Sequence, residues 1–189
     1  MKFNVAGSLR ASRKQAFTLA ELMITVSVIG VIALGGVYAS SQVIARRDFA
    51  NTAAAELVGW LEAISARSGS VGPCRVQFTT GNALEPGATF ASLQTSDARC
   101  TPEPNLRLPS VYGNRVYDVA VTYTPVGTTS LAFTSRGGVV AGNVQATVKI
   151  AVSNQLPLRC VRISFGSIST GINNATGNVA QTCTVWERT

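Results

Sequence analysis

The stretch "KQAFTLAELMITVSVIGVIALGG", residues 14–36, decides how the rest of the chain is read. From Leu22 to Ala45 no residue carries a formal charge, and about 20 apolar residues suffice to cross a bilayer. One carboxylate, Glu21, stands at the edge of that run, behind an acid-free leader that carries Lys2, Arg10, Arg13 and Lys14. The run reads as a membrane helix or a secretory signal. Its basic leader places the N-terminus in the cytoplasm, and everything after Arg46 is then exported.

A carboxylate in the middle of a membrane helix costs about 2.5 to 3.5 kcal/mol on insertion scales, so Glu21 needs an interfacial position or a partner. Beside Lys14 it can snorkel toward water. If the chain is cut between Ala16 and Phe17, a sharper role opens. The new α-amino group at Phe17, with an ordinary pKa of about 8, is a cation at neutral pH, and in a packed bundle the amine of one subunit meets Glu21 of its neighbour.

Past Ala45 the apolar residues become periodic. Phe49, Ala53, Leu57, Trp60, Leu61 and Ile64 recur at spacings of three and four, with Arg46, Arg47, Asp48, Glu56, Glu62 and Arg67 largely elsewhere around the wheel. This is an amphipathic helix with one face committed to a core, and "RSGSVGP" at 67–73 stops it. Nothing breaks the helix cleanly between its halves, so residues 17 to 68 read as one rod of roughly 75 Å. Residues 17–45 form its membrane half and 46–72 its amphipathic half. Gly30, Gly35 and Gly36 are weak points within it, each costing about 1 kcal/mol relative to alanine.

After Pro73 the texture turns β-like. "CRVQFTT", "ATFASLQ", "RVYDVAVTYT", "TSLAFTS", "VQATVKIAVS", "LRCVRISFG" and "AQTCTVW" are short β-branched or aromatic runs between Gly, Pro, Asn and Ser clusters. In "NVQATVKIAVS", Val144, Ala146, Val148 and Ile150 alternate with Gln145, Thr147 and Lys149, which predicts a strand with one wet face. "TPEPNLRLP" reads as a loop or an irregular edge strand. The expected fold class is α+β: a long N-terminal helix packed on an antiparallel β-sheet domain at 73–189.

Composition supports one domain with an appended segment: 189 residues, 46% hydrophobic, with a formal net charge of +7. Without the leader the charge falls to about +3, a mild excess. The chain has no histidine, which removes the commonest general base and zinc ligand. No metal site, cofactor or catalytic residue is expected, because no spacing pairs a serine with a base. Cys74, Cys100, Cys160 and Cys183 form no CxxC pair and read as disulfides in an oxidising compartment, with reduced buried thiols as the alternative. Three connectivities exist, and Cys74–Cys100 with Cys160–Cys183 is favoured because each closes a local loop. Trp60 and Trp186 read as core residues between the helix and the terminal strand.

"AFTLAEL" resembles the type III signal of type IV pilins and pseudopilins: a basic leader, a small residue before the cut, then Phe-Thr-Leu-x-Glu-Leu opening a long apolar helix. Ala16 stands where glycine is usual. The resemblance implies a pilin-like fold, with 1–16 as a leader peptide removed after Ala16 by a prepilin peptidase. It further implies N-methylation of Phe17 and a role for Glu21 in aligning subunits. The partners it implies are other pilin subunits in a helical filament and an inner-membrane assembly platform. The protein would cross the inner membrane once, with its C-terminal domain in the periplasm, before joining a pilus or pseudopilus. Phe133, Gly137, Gly138, Arg159, Arg162 and Gly166 are similar to the C-terminal pattern of the GspH/FimT minor pseudopilins.

Two other functions are compatible with these residues. Some FimT-like minor pilins take part in DNA uptake through C-terminal arginines. Arg159, Arg162 and Arg188 are the candidates here, although the odd spacing of Arg159 and Arg162 would face them to opposite sides of a strand. Alternatively, "VYA" at 37–39 has the look of a signal peptidase site. Cleavage after Ala39 would release a soluble disulfide-bonded β-protein.

Overall fold

The computed structural model describes residues 18–94, 99–110, 114–134, 144–165 and 167–188; the side chains of 33–40 and of Arg188 lie outside that description. Among the described residues one helix, α1 (Leu19–Val71), precedes ten strands: β1 (Cys74–Phe78), β2 (Gly81–Leu84), β3 (Thr89–Leu93), β4 (Asn105–Arg107), β5 (Tyr117–Thr124), β6 (Leu131–Phe133), β7 (Gln145–Val152), β8 (Gln155–Ser164), β9 (Ser167–Asn173) and β10 (Val185–Arg188). The chain divides between Ser41 and Gln42 into two compact units.

In the second unit, α1 buries one face. Ala50, Ala53, Leu57, Leu61 and Ile64 are wholly buried, and their spacing is the apolar stripe of a one-sided helix. The stripe packs into a single core with Val76, Phe90, Phe133, Val148, Ile150, Val161 and Ile163. Ser68 closes the stripe polar side down, its hydroxyl donating to Thr134 O at 2.7 Å. The helix stops where the sequence demands it. Gly72 takes a left-handed φ of +104° and donates to Ser68 O, the conformation glycine adopts at least cost.

All strand pairs are antiparallel, in two sheets ordered β4-β3-β1-β6 and β10-β9-β8-β7-β5-β2. The α+β class read from the sequence is the class observed. "TPEPNLRLP" carries the short edge strand β4, and "AQTCTVW" is extended only from Val185 onward. β2 and β9 are additional strands. Lys149 corrects the expectation of one wet face on β7, because it is only 7% exposed. That outer face is a second small core of Ala151, Leu158, Cys160 and Cys183, with Val179 and Trp186 against it. The segment after β9 folds back over it. Thr176 O accepts Leu158 N–H, and a Cβ at Gly177 would lie 2.1 Å from the backbone of Gln155.

Trp60 and Trp186 do not share a core, against the sequence reading. Trp60 lies on the helix side and donates Nε1–H to Glu103 O at 3.0 Å. Trp186 crosses the outer face over Gly171, where an added Cβ would approach its ring to 2.8 Å.

Asp118 fixes the corner of the larger sheet. It is 7% exposed, and its carboxylate accepts Ala83 N–H at 3.0 Å and Asn154 N–H at 2.6 Å. Ala83, Ser153 and Asn154 all have positive φ, a region costly for residues with a Cβ. One carboxylate thus holds both the bulge of β2 and the β7–β8 turn. Asp118→Ala is expected to cost about 3 kcal/mol, since two charge-assisted bonds are lost and two amides are left without an acceptor. Urea unfolding of the folded chain measures it.

Tyr117, beside it, is wholly buried, and its hydroxyl has no partner among the described residues. Burial, reinforced by the charge of Glu56, pushes the phenol well above its ordinary value. A raised native pKa contributes stability that is complete below the unfolded value, about 10, and is lost as pH rises through the native value. Because that hydroxyl is buried without a partner among the described residues, Tyr117→Phe is expected to melt at or above the wild-type temperature at neutral pH. It should also flatten the fall of Tm between about pH 9 and 11, which thermal melts across that range would record.

Candidate functional site

The first unit is described from Thr18. Thr18 caps α1: its hydroxyl accepts Glu21 N–H at 3.3 Å, and its carbonyl accepts Glu21 N–H at 3.0 Å and Leu22 N–H at 3.1 Å. Thr18-Leu-Ala-Glu21 is the sequence of a capping box, with Glu21 at the third helical position. The positive end of the helix dipole favours a carboxylate there. This gives Glu21 a local stabilisation that the sequence reading missed, although its signal, T-x-x-E, is present. Ala16 and Phe17 lie outside the described residues.

Beyond the cap, the polar residues of the helix are turned inward on its own backbone. Thr25 Oγ1 donates to Leu22 O at 2.9 Å and Ser27 Oγ to Met23 O at 2.6 Å. Satisfied this way, hydroxyls sit in an apolar medium without orphaned donors. The apolar side chains do the opposite. Leu19, Leu22, Met23, Ile24, Val26, Val28, Ile29, Val31 and Ile32 are all more than half exposed. They lie all around the helix, and a helix apolar on every side needs lipid or other helices around it. Among the described residues no helix is long and apolar enough to cross a membrane. In the sequence the uncharged run continues through 33–40 to Ala45.

The cysteines are paired Cys74–Cys100 and Cys160–Cys183. The first ties β1 to the chain leading into β4. The second fastens the segment after β9 onto β8. Among the described residues no group of His, Cys, Asp and Glu could hold a metal ion. A groove of about 700 Å³ beside α1, lined by Glu56, Trp60, Glu103 and Arg107 among others, contains no serine, threonine, cysteine or lysine.

The candidate arginines are not brought together. Arg159 faces α1, where its Nε donates to Asn51 Oδ1; burial and the charge of Arg47 lower its pKa, and Glu187 opposes them. Arg162 lies on the other face of β8, its guanidinium 3.6 Å from the ring centre of Trp186. Arg188 is in the edge strand β10, in register with Ser169. Phe133 is buried in β6, and Gly137, Gly138 and Gly166 lie outside the described residues.

Residues 11–37 match the family described as the prokaryotic N-terminal methylation motif. No curated protein and no solved structure matches the chain. The family match supports a type IV pilin-like prepilin signal at the N-terminus.

Replacing Cys160 and Cys183 together by alanine is expected to cost about 3 kcal/mol, the usual value for a closed loop of this size. Amide exchange should accelerate first in 174–184, ahead of β7 and β8, and hydrogen-exchange mass spectrometry would map that order.

Proposed function

We propose that this chain is a minor pilin or pseudopilin of the GspH/FimT kind, a structural subunit of a type IV pilus or a type II secretion pseudopilus. Prepilin peptidase cuts between Ala16 and Phe17, and Phe17 is N-methylated. The helix from Phe17 to Ala45 crosses the inner membrane with the β-domain in the periplasm. It then leaves lipid for the core of a filament, where Glu21 meets the Phe17 amine of a neighbouring subunit. The observation that carries this reading is the pairing of the methylation motif at 11–37 with a helix whose described apolar side chains are exposed on every side.

The physics of assembly follows from that helix. A head-to-tail interface that does not close generates a helical polymer, and the apolar surface that lipid covers before assembly is covered by other helices after it. Glu21 adds register, because a carboxylate in a low-dielectric bundle is tolerated only where a cation faces it. The DNA-uptake variant of this function draws no support from β8, whose two arginines face opposite sides of the strand.

Mass spectrometry of the N-terminal peptide from native membranes tests the processing step. The expected peptide begins at N-methylated Phe17; one beginning at Ser40 would identify an ordinary signal peptide and end the pilin reading. In the same membranes Glu21→Val should be cleaved normally yet be lost from sheared filaments by an order of magnitude or more, as a buried cation left unpaired costs about 3 to 5 kcal/mol.

A further inference from the structure

Four guanidiniums gather where α1 enters the globular unit. Arg46 Nη1 donates to Gln155 Oε1 at 3.5 Å. Arg115 donates to Gln42 Oε1 and lies over the Phe49 ring, 5.6 Å from its centre. Arg159 donates to Asn51 Oδ1, and Arg47, exposed, follows Arg46 directly in the helix, its charge acting on Arg159. Gln42 and Phe49 are seven residues apart and share one stripe of the helix, whereas Asn51 lies about 200° further round from Phe49. The cations therefore flank the helix on both sides.

Their partners are what sets them apart. Among the described residues each of the three positioned guanidiniums is held by a neutral amide oxygen rather than by a carboxylate. An amide fixes the direction of the fork and leaves the charge in place, and a guanidinium has five donors, of which these contacts use one. Arg46 Nε is buried with no partner among the described residues. Two carboxylates stand beside the group: exposed Asp48, next to Arg47 in the helix, and Glu187, whose charge acts on Arg159. On the same turns Val43 and Ile44 are about half exposed, so the surface is basic and apolar together, the character of a membrane interface.

We propose that Arg46, Arg47, Arg115 and Arg159 form a collar that seats the globular unit on an anionic phospholipid surface, with their free donors on lipid phosphates. The proposal rests on the reading that the uncharged run ending at Ala45 lies in the bilayer, which places Arg46 where the hydrocarbon ends. The collar holds the subunit at the membrane before assembly. It also makes extraction into the filament dependent on lipid charge and on salt, because each basic group near an anionic surface changes the docked population by about fivefold and the attraction is screened by salt.

The test uses the full chain in vesicles of phosphatidylcholine alone or mixed with phosphatidylglycerol, each with a trace of dansyl-labelled lipid. Energy transfer from Trp60 and Trp186 to dansyl reports how closely the globular unit approaches the surface. Transfer should be higher on the anionic vesicles and fall to the neutral level in high salt. R47Q/R115Q should shift the docked-to-undocked ratio by about 25-fold at two guanidiniums removed, and R47K/R115K should restore most of it. Equal transfer on both lipids with the protein still resistant to alkaline carbonate would overturn the collar and leave the membrane anchor standing. Release by carbonate would overturn both. Should duplex DNA at matched phosphate concentration displace the unit from anionic vesicles, the arginines bind nucleic acid and the proposal fails. If R47Q/R115Q does not fold, the lipid and salt comparisons on the wild-type chain decide alone.

Discussion

The burial of one face of residues 50–68 against both sheets is the interaction on which the globular unit depends. Neither sheet closes on itself. The four-stranded sheet and the six-stranded sheet contribute to one core, and α1 supplies the apolar surface common to both. Ala50, Ala53 and Ala54 keep the helix close at its entry, and Leu57, Leu61 and Ile64 fill the space as it continues. Polar fastenings then fix how far it can slide: Ser68 on Thr134 O at one end, Trp60 on Glu103 O in the middle, Arg46 on Gln155 near the entry. Each of these reaches a different part of the β-region, so a shift of the helix by one turn would break all of them at once.

The outer face of the larger sheet is managed by a different device. A six-stranded sheet with a helix on one side would ordinarily leave its other side to water, with polar residues alternating outward. Here the chain returns after β9 and covers part of that side, and Cys160–Cys183 holds it there. Gly171 gives Trp186 room to lie across the ladder, and Arg162 caps the ring. The result is a small second core built on loop closure and one aromatic ring rather than on a second layer of regular structure.

These two devices differ in how much of them could be read beforehand. The helical stripe was legible because a period of three and four is a local property of the sequence, and β1, β3, β5, β7 and β8 were legible through their β-branched and aromatic runs. β2, "GNAL", and β9, "SISTGIN", were not. GNAL has weak strand preference and SISTGIN is broken by Gly171 and serines; both are extended through ladders to β5, β8 and β10 and, for β2, through the Asp118 carboxylate. Lys149 is buried for the same reason: alternation reports which residues share a face, and burial depends on what returns over that face from a distant part of the chain. At the N-terminus the Thr18 cap was written locally as T-x-x-E. The amides that hold Arg46, Arg115 and Arg159 carry no sequence signal at all, since each pairing joins α1 to a distant strand or turn.

The way this chain places its few charges separates stability from interaction. Where a charge is used internally, as in Asp118, it is buried and answered by backbone N–H groups, so its field is consumed within the fold. Where charges gather at the surface, around the entry of α1, they are steered by amides that answer geometry and leave the field intact. Glu21 stands between these cases. The helix N-terminus stabilises it in part, through a partial charge of about half a unit, and a further whole cation can still be accommodated. A carboxylate so placed favours the first turn of the helix and, in the filament we propose, would still attract an amine. The local role would serve the proposed one, because a fixed first turn holds the carboxylate in one position for a neighbouring subunit to meet.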